Sequence, residues 1–154
     1  AADLQLAIAR DKAGNRQITV TVRNKTEHTF PSTNPMRIAF VKVTAKDTNG
    51  NIVWENFKSE PLKEDKKAVF FKAFKAGDTV GVPSWKAESM AFDTRLKQDE
   101  TRTLRYPLYS HDISTVEAEL VYLLFPPKAL DAFGIPKDGV NDKRYSVVKK
   151  SVTL

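Results

Sequence analysis

Between residues 17 and 23 the side chains alternate with a period of two. Ile18, Val20 and Val22 fall on one side, and Thr19, Thr21 and Arg23 on the other. Successive side chains of an extended chain point to opposite faces, so this pattern writes a strand with one face buried. Its β-branched residues suit a pleated, half-buried surface. A sheet built of such strands must cover its apolar face with another layer, and that requirement restricts the fold more than any other feature.

The same period recurs along the chain. Leu4, Leu6 and Ile8 alternate with Gln5, Ala7 and Ala9; Ala39, Val41, Val43 and Ala45 share a face within residues 38–46; Leu104 and Tyr106 share another. In residues 115–125, Val116, Ala118, Leu120, Tyr122 and Leu124 line one face. The other begins with Glu117 and Glu119 and turns apolar at Val121, Leu123 and Phe125. That predicts a central strand covered on both sides at its far end. Residues 68–74, 88–92 and 144–154 read as further strands.

Turn chemistry separates them. Residues 11–15 form a turn around Gly14. Asn49-Gly50 between two apolar runs predicts a hairpin with both central residues at positive φ. The charged residues 58–67 read as a solvated loop, and the stretch through Gly81, Pro83 and Trp85 as irregular. Pro126-Pro127 ends the long strand, residues 128–133 can form one or two helical turns, and Gly134 terminates them. Seven or eight strands and one short helix predict a single all-β domain over residues 1–154, an immunoglobulin-like antiparallel sandwich, with a closed barrel as the alternative.

With 154 residues, the chain can bury roughly 70% of the surface its unfolded form exposes. Cysteine is absent, which excludes a disulfide framework, a thiolate nucleophile and thiolate metal sites. No run of eighteen apolar residues exists, so no membrane insertion is expected. The start, Ala1-Ala2-Asp3, fits a cytosolic start, a mature exported start or a piece of a longer chain. The net charge of +6 lies wholly in residues 1–77, as outward strand lysines or as a face for an acidic partner.

Residues 24–37 break the alternation. They carry His28, one of two histidines, with Phe30, Pro31, Pro35 and Arg37. The prolines withhold amide donors and hold the residues before them extended, which predicts a stiff crossing loop.

Asn24, His28, Phe30, Pro31, Pro35 and Arg37, followed by a strand and then Asp47 and Gly50, resemble a β-sandwich domain of periplasmic multihaem c-type cytochromes. In that family an Asn precedes Gly-His-Lys-Phe-Pro-Thr-Gly, and an arginine opens the next strand. Two further blocks are similar: Asp93-Thr94-Arg95-Leu96 with Glu100, and residues 123–127 with Leu130 and Gly134. Together they span about residues 16–148. Glu27, Thr29, Ser32 and Thr33 depart from the pattern, and no Cys-x-x-Cys-His occurs, so no c-type haem can be attached to this chain. The resemblance implies a non-catalytic accessory domain, exported to the periplasm, that packs against or shields a haem-bearing domain and contacts its haem c without binding one covalently.

His28 has three readings: axial ligand to a haem of the adjoining domain, hydrogen-bonding group within its own loop, or plain surface. Arg37 with Asp93 and Arg95 suggests a buried carboxylate–guanidinium pair tying the crossing loop to the later strand, or an anion or haem-propionate contact. His28, His111, Met36 and Met90 are too scattered for a copper site, and neither a nucleophile elbow nor a defined carboxylate pair points to a hydrolase. Phe70, Phe71 and Phe74 among lysines could stack bases or dock a partner, but read first as a buried strand with a basic rim; no nucleic acid is expected. Trp54 and Trp85 read as core, or as a sugar platform.

Overall fold

The computed structural model describes residues 2–31, 37–82, 87–109, 112–125, 134, 139 and 143–154. Among these lie the strands β1 (Ala2–Arg10), β2 (Arg16–Asn24), β3 (Ile38–Lys46), β4 (Ile52–Glu55), β5 (Val69–Phe70), β6 (Lys72–Ala76), β7 (Thr79–Val82), β8 (Ser89–Asp93), β9 (Thr101–Pro107), β10 (Thr115–Leu123) and β11 (Arg144–Thr153). A short helix, α1 (Pro61–Glu64), and a 3-10 turn at Lys66–Ala68 follow β4. The helix expected at residues 128–133 lies outside the described residues.

One sheet has the order β1-β2-β9 and the second β11-β10-β3-β4, with β5 also pairing β3. All pairings in them are antiparallel. This is the immunoglobulin-like arrangement, in which the first, second and fifth strands face a sheet built on the third. The segment carrying β5 to β8 is inserted between the fourth and fifth strands of that plan. It forms a third small sheet, β7-β6-β8.

The alternation explains the core. Ile18, Val20 and Val22 of β2 meet Val41 and Val43 of β3 and Val116, Ala118 and Leu120 of β10, all fully buried. A second core lies on the outer face of β3 and β10. There Phe40, Val121 and Leu123 pack with Phe57, Val69, Phe71 and Ala73, and Phe92 lies against them. That cover is why the outward face of β10 turns apolar after Glu119.

Two hairpins use one device. Asp11-Lys12-Ala13-Gly14-Asn15 and Asp47-Thr48-Asn49-Gly50-Asn51 share the pattern Asp-x-x-Gly-Asn. In each, the glycine N–H donates to the aspartate carbonyl, and the aspartate N–H to the asparagine carbonyl. The aspartate Oδ1 accepts the amides two and four residues on, at 2.9–3.0 Å. Only the glycines take positive φ, +84° and +83°. The expectation that Asn49 also does so is therefore corrected: a three-residue turn needs one left-handed position, and Gly50 fills it.

Two other expectations change. Residues 58–67 are not merely a solvated loop. Pro61 opens α1, where its missing donor costs nothing, and the Glu64 carboxylate accepts the amides of Lys58, Ser59 and Glu60 at 2.8–3.2 Å. Those three bonds hold the Glu64 carboxyl below its ordinary range. Residues 68–74 are not one strand either. The chain leaves β3 at Phe71, whose N–H and C=O are both taken by Thr94.

The strand registers give the sandwich two unlike ends. Ala2 pairs Asn24, Arg23 pairs Thr101, and Leu123 pairs both Ile38 and Arg144. The connections 24–38, 93–101 and 123–144 therefore begin and finish at one end. The opposite end carries the tight hairpins at 11–15 and 47–51 and the connection 107–115 from β9 to β10.

Candidate functional site

The crossing loop sits at the long-connection end, and one buried asparagine organises it. Asn24 has the parity of Ile18, Val20 and Val22, so its side chain points inward, and it is fully buried. Its Nδ2 donates to the carbonyls of His28 (2.7 Å), Leu96 (3.2 Å) and Lys97 (3.0 Å). Its Oδ1 accepts the Thr26 N–H (3.0 Å) and stands 2.7 Å from the Thr26 hydroxyl. That hydroxyl lies equally close to the His28 carbonyl. Buried amides are stable only when satisfied in this way.

The loop is then clipped to residues 96–97. Phe30 and Leu96 exchange both backbone hydrogen bonds, at 2.7 and 2.9 Å, as an isolated antiparallel bridge. Both side chains are buried, and Pro31, reached through a cis peptide, is buried beside them. Pro35 lies outside the described residues.

His28 itself is exposed. Its Nδ1 stands 3.1 Å from the Thr29 carbonyl and 3.3 Å from the Thr26 hydroxyl. A carbonyl only accepts, so Nδ1 carries the proton in this contact. In the neutral ring the lone pair is then on Nε2. Among its three readings, the loop hydrogen bond exists and the ring still leaves one nitrogen uncommitted to it.

The expected link between Arg37 and Asp93 is not formed. Arg37 donates to the Leu124 carbonyl at 3.2 Å and lies over the Phe125 ring, 5.9 Å from its centroid. Asp93 instead grips Arg95, two residues on, through Nε at 2.9 Å and a second guanidinium nitrogen at 2.8 Å. This local two-point grip needs no loop closure, so it wins over a partner at residue 37. The Arg95 bond is the main cause of the lowered Asp93 carboxyl pKa. Thr94, between them, holds a different segment: its hydroxyl stands 2.8 Å from the Val69 carbonyl and 3.2 Å from the Phe71 N–H.

A second polar cluster escaped the sequence reading. The Tyr106 hydroxyl donates to Asp65 Oδ2, which also accepts from Asn56 Nδ2 at 2.9 Å. The Asn56 amide bonds Val41 O (2.9 Å) and Val43 N (2.8 Å), filling the gap between β4 and β5 on the β3 edge. Trp54 packs on the Tyr106 ring with centroids 5.3 Å apart. Burial first, and the Asp65 bond second, push the Tyr106 phenol well above its usual range.

The other candidates resolve simply. Phe70 and Phe71 are buried and Phe74 half-buried, with Lys72 over the Phe74 ring; Phe70 and Phe74 lie on two short strands of different sheets instead of the one expected. His111, Met36 and Trp85 lie outside the described residues. Among the described residues no three His, Asp or Glu side chains gather to hold a metal. None of their helices is long and apolar enough to cross a membrane.

The class is thus an immunoglobulin-like β-sandwich with a histidine loop pinned at its long-connection end. No family model and no curated protein matches the chain. Among solved structures it is similar to a penta-haem cytochrome c552 from Thermochromatium tepidum, with a TM-score of 0.89 and 26% identity over 99% of this chain. The chain spans 39% of that cytochrome. Without cysteine, it binds no haem c covalently.

Proposed function

We propose that this chain is an accessory unit of a multihaem c-type cytochrome, exported to the periplasm, which packs by its long-connection end against a haem-bearing polypeptide and performs no turnover of its own. The similarity to a penta-haem cytochrome along 99% of the chain carries this reading. Since the match takes up 39% of the cytochrome, a partner region supplying Cys-x-x-Cys-His motifs is part of the proposal. The site supports a contact role: Asn24, Thr94 and Asn56 spend their polar groups on holding backbone in place. The rival reading, a separate extracytoplasmic module for a carbohydrate or protein ligand, gains nothing from Trp54, whose ring is spent on Tyr106.

The test begins with the gene. A reading frame or its immediate neighbours should encode Cys-x-x-Cys-His motifs, and none there ends the proposal. The haem-bearing polypeptide so identified, expressed with this chain, should co-elute with it in size exclusion followed at the Soret band. Tyr109→Ser, a change at an 85% exposed side chain near the opposite end, should leave co-elution unchanged. Loss of co-elution in that variant would overturn the docking end.

A further inference from the structure

The geometry of the crossing loop points to a specific task, and we infer that His28 Nε2 is an axial ligand to the iron of a haem held by the adjoining polypeptide. This rests on the accessory-unit reading above and names what one side chain of that end does.

Three observations converge. First, the ring is exposed at the loop end while its Nδ1 is engaged by the Thr29 carbonyl and the Thr26 hydroxyl, at 3.1 and 3.3 Å. A ligating imidazole characteristically donates its other N–H to a carbonyl or carboxylate, which fixes the tautomer and raises the basicity of the free nitrogen. Second, the backbone beneath the ring is fixed. The His28 carbonyl lies 2.7 Å from both the Asn24 amide and the Thr26 hydroxyl. A fixed backbone lowers the cost of holding the ring in a ligating position. Third, imidazole is a standard axial donor to haem iron, and the comparison protein carries haem. The bond is a simple donation of the Nε2 lone pair to an open iron position; no electron changes hands and the Nδ1 proton stays.

The test uses the whole chain and a haem peptide cut from a c-type cytochrome, its haem held by Cys-x-x-Cys-His with the sixth position open. Titrating ferric peptide with the chain should convert its Soret and visible bands from high-spin to low-spin, saturably. His111→Ala should behave as wild type and His28→Ala should lose the conversion. Thr26→Val, checked for folding by circular dichroism, should weaken it by less than His28→Ala does, because the Thr29 carbonyl still holds Nδ1. No conversion with wild type, or equal conversion with His28→Ala, overturns the inference. Co-elution separates the two proposals. If the chain and its haem-bearing partner associate but the ligation test fails, docking stands and ligation falls. If they do not associate, the docking reading fails independently of the spectrum.

Discussion

Replacing Asn24 with alanine tests whether a single buried amide holds the crossing loop. The substitution removes five side-chain hydrogen bonds, but they do not count equally. The Leu96 carbonyl keeps the Phe30 N–H at 2.7 Å, and the His28 carbonyl keeps the Thr26 hydroxyl at 2.7 Å. The Lys97 carbonyl and the Thr26 N–H lose their Asn24 partner. Each such loss in a partly dry setting costs about 1–3 kcal/mol, whereas a replaced bond costs little. The expected destabilisation is about 3 kcal/mol, which for a chain this long lowers Tm by about 6–12 °C. Asn24→Asp is the sharper probe. It keeps the shape and the acceptor for Thr26, but sets carboxylate oxygens against the carbonyls of His28, Leu96 and Lys97. At neutral pH it should be less stable than Asn24→Ala, because a buried unpaired charge costs more than a missing bond. Urea unfolding measures both, and amide exchange at Phe30 and Leu96 localises the effect. A loss below about 1 kcal/mol for alanine, or wild-type stability for aspartate, refutes the reasoning, since water or loop shift would then satisfy those groups.

Four further outcomes are expected. Tyr106→Phe should cost about 1–2 kcal/mol at neutral pH through the bond lost to Asp65. The folded-state phenol pKa lies above the ordinary 10.0, so its stabilisation is full below that value and lost as pH rises past it; the variant should show a flatter alkaline limb in urea melts from pH 8 to 11. Asp93 shifts the opposite way: the Arg95 grip lowers its carboxyl below 3.8. Its contribution is present above about pH 4 and lost as pH falls through the folded value, and Asp93→Asn should lessen the acid-limb slope between pH 5 and 2. Thr94→Val keeps the side-chain shape but strands the Val69 carbonyl and the Phe71 N–H, for a loss of about 1–3 kcal/mol in equilibrium unfolding. Gly50→Ala forces a Cβ onto a φ of +83° and should cost about 1 kcal/mol, measurable as a lower urea midpoint with unchanged slope.

The scaffold was readable because its signal is local. A period of two marked β2, β3 and β10, and the switch at Val121 announced cover on a second face before that cover was known. The site was less readable because its bonds are not local. Asp65 lies in a charged run that reads as solvent-facing, and nothing near it names Tyr106, 41 residues on. Complementary charges at Arg37 and Asp93 suggested a pair, but the two-residue separation of Asp93 and Arg95 favoured the local partner, which needs no loop closure. Leu96 and Lys97 were invisible as partners since they contribute backbone carbonyls, which any residue has. Asn24 did leave a trace: an asparagine at the inward parity of an otherwise apolar strand face is costly unless it is fully bonded.

That cost also explains the position of the loop. A chain crossing from one sheet to the other must leave the ladder of β2 with its backbone groups unpaired, and short hairpins cannot serve there. Asn24 stands at the last rung of β2, and its amide supplies bonds to two segments, 26–28 and 96–97, that belong to no named strand. Residues 26–30 are thereby held in place. A surface already ordered loses less side-chain and loop entropy on association, by about 0.5–1.5 kcal/mol for each side chain that need not be immobilised. In the proposed docking role, residues 26–30 therefore offer a surface already in order, whereas the tight aspartate–glycine hairpins at the other end are spent on closing strands.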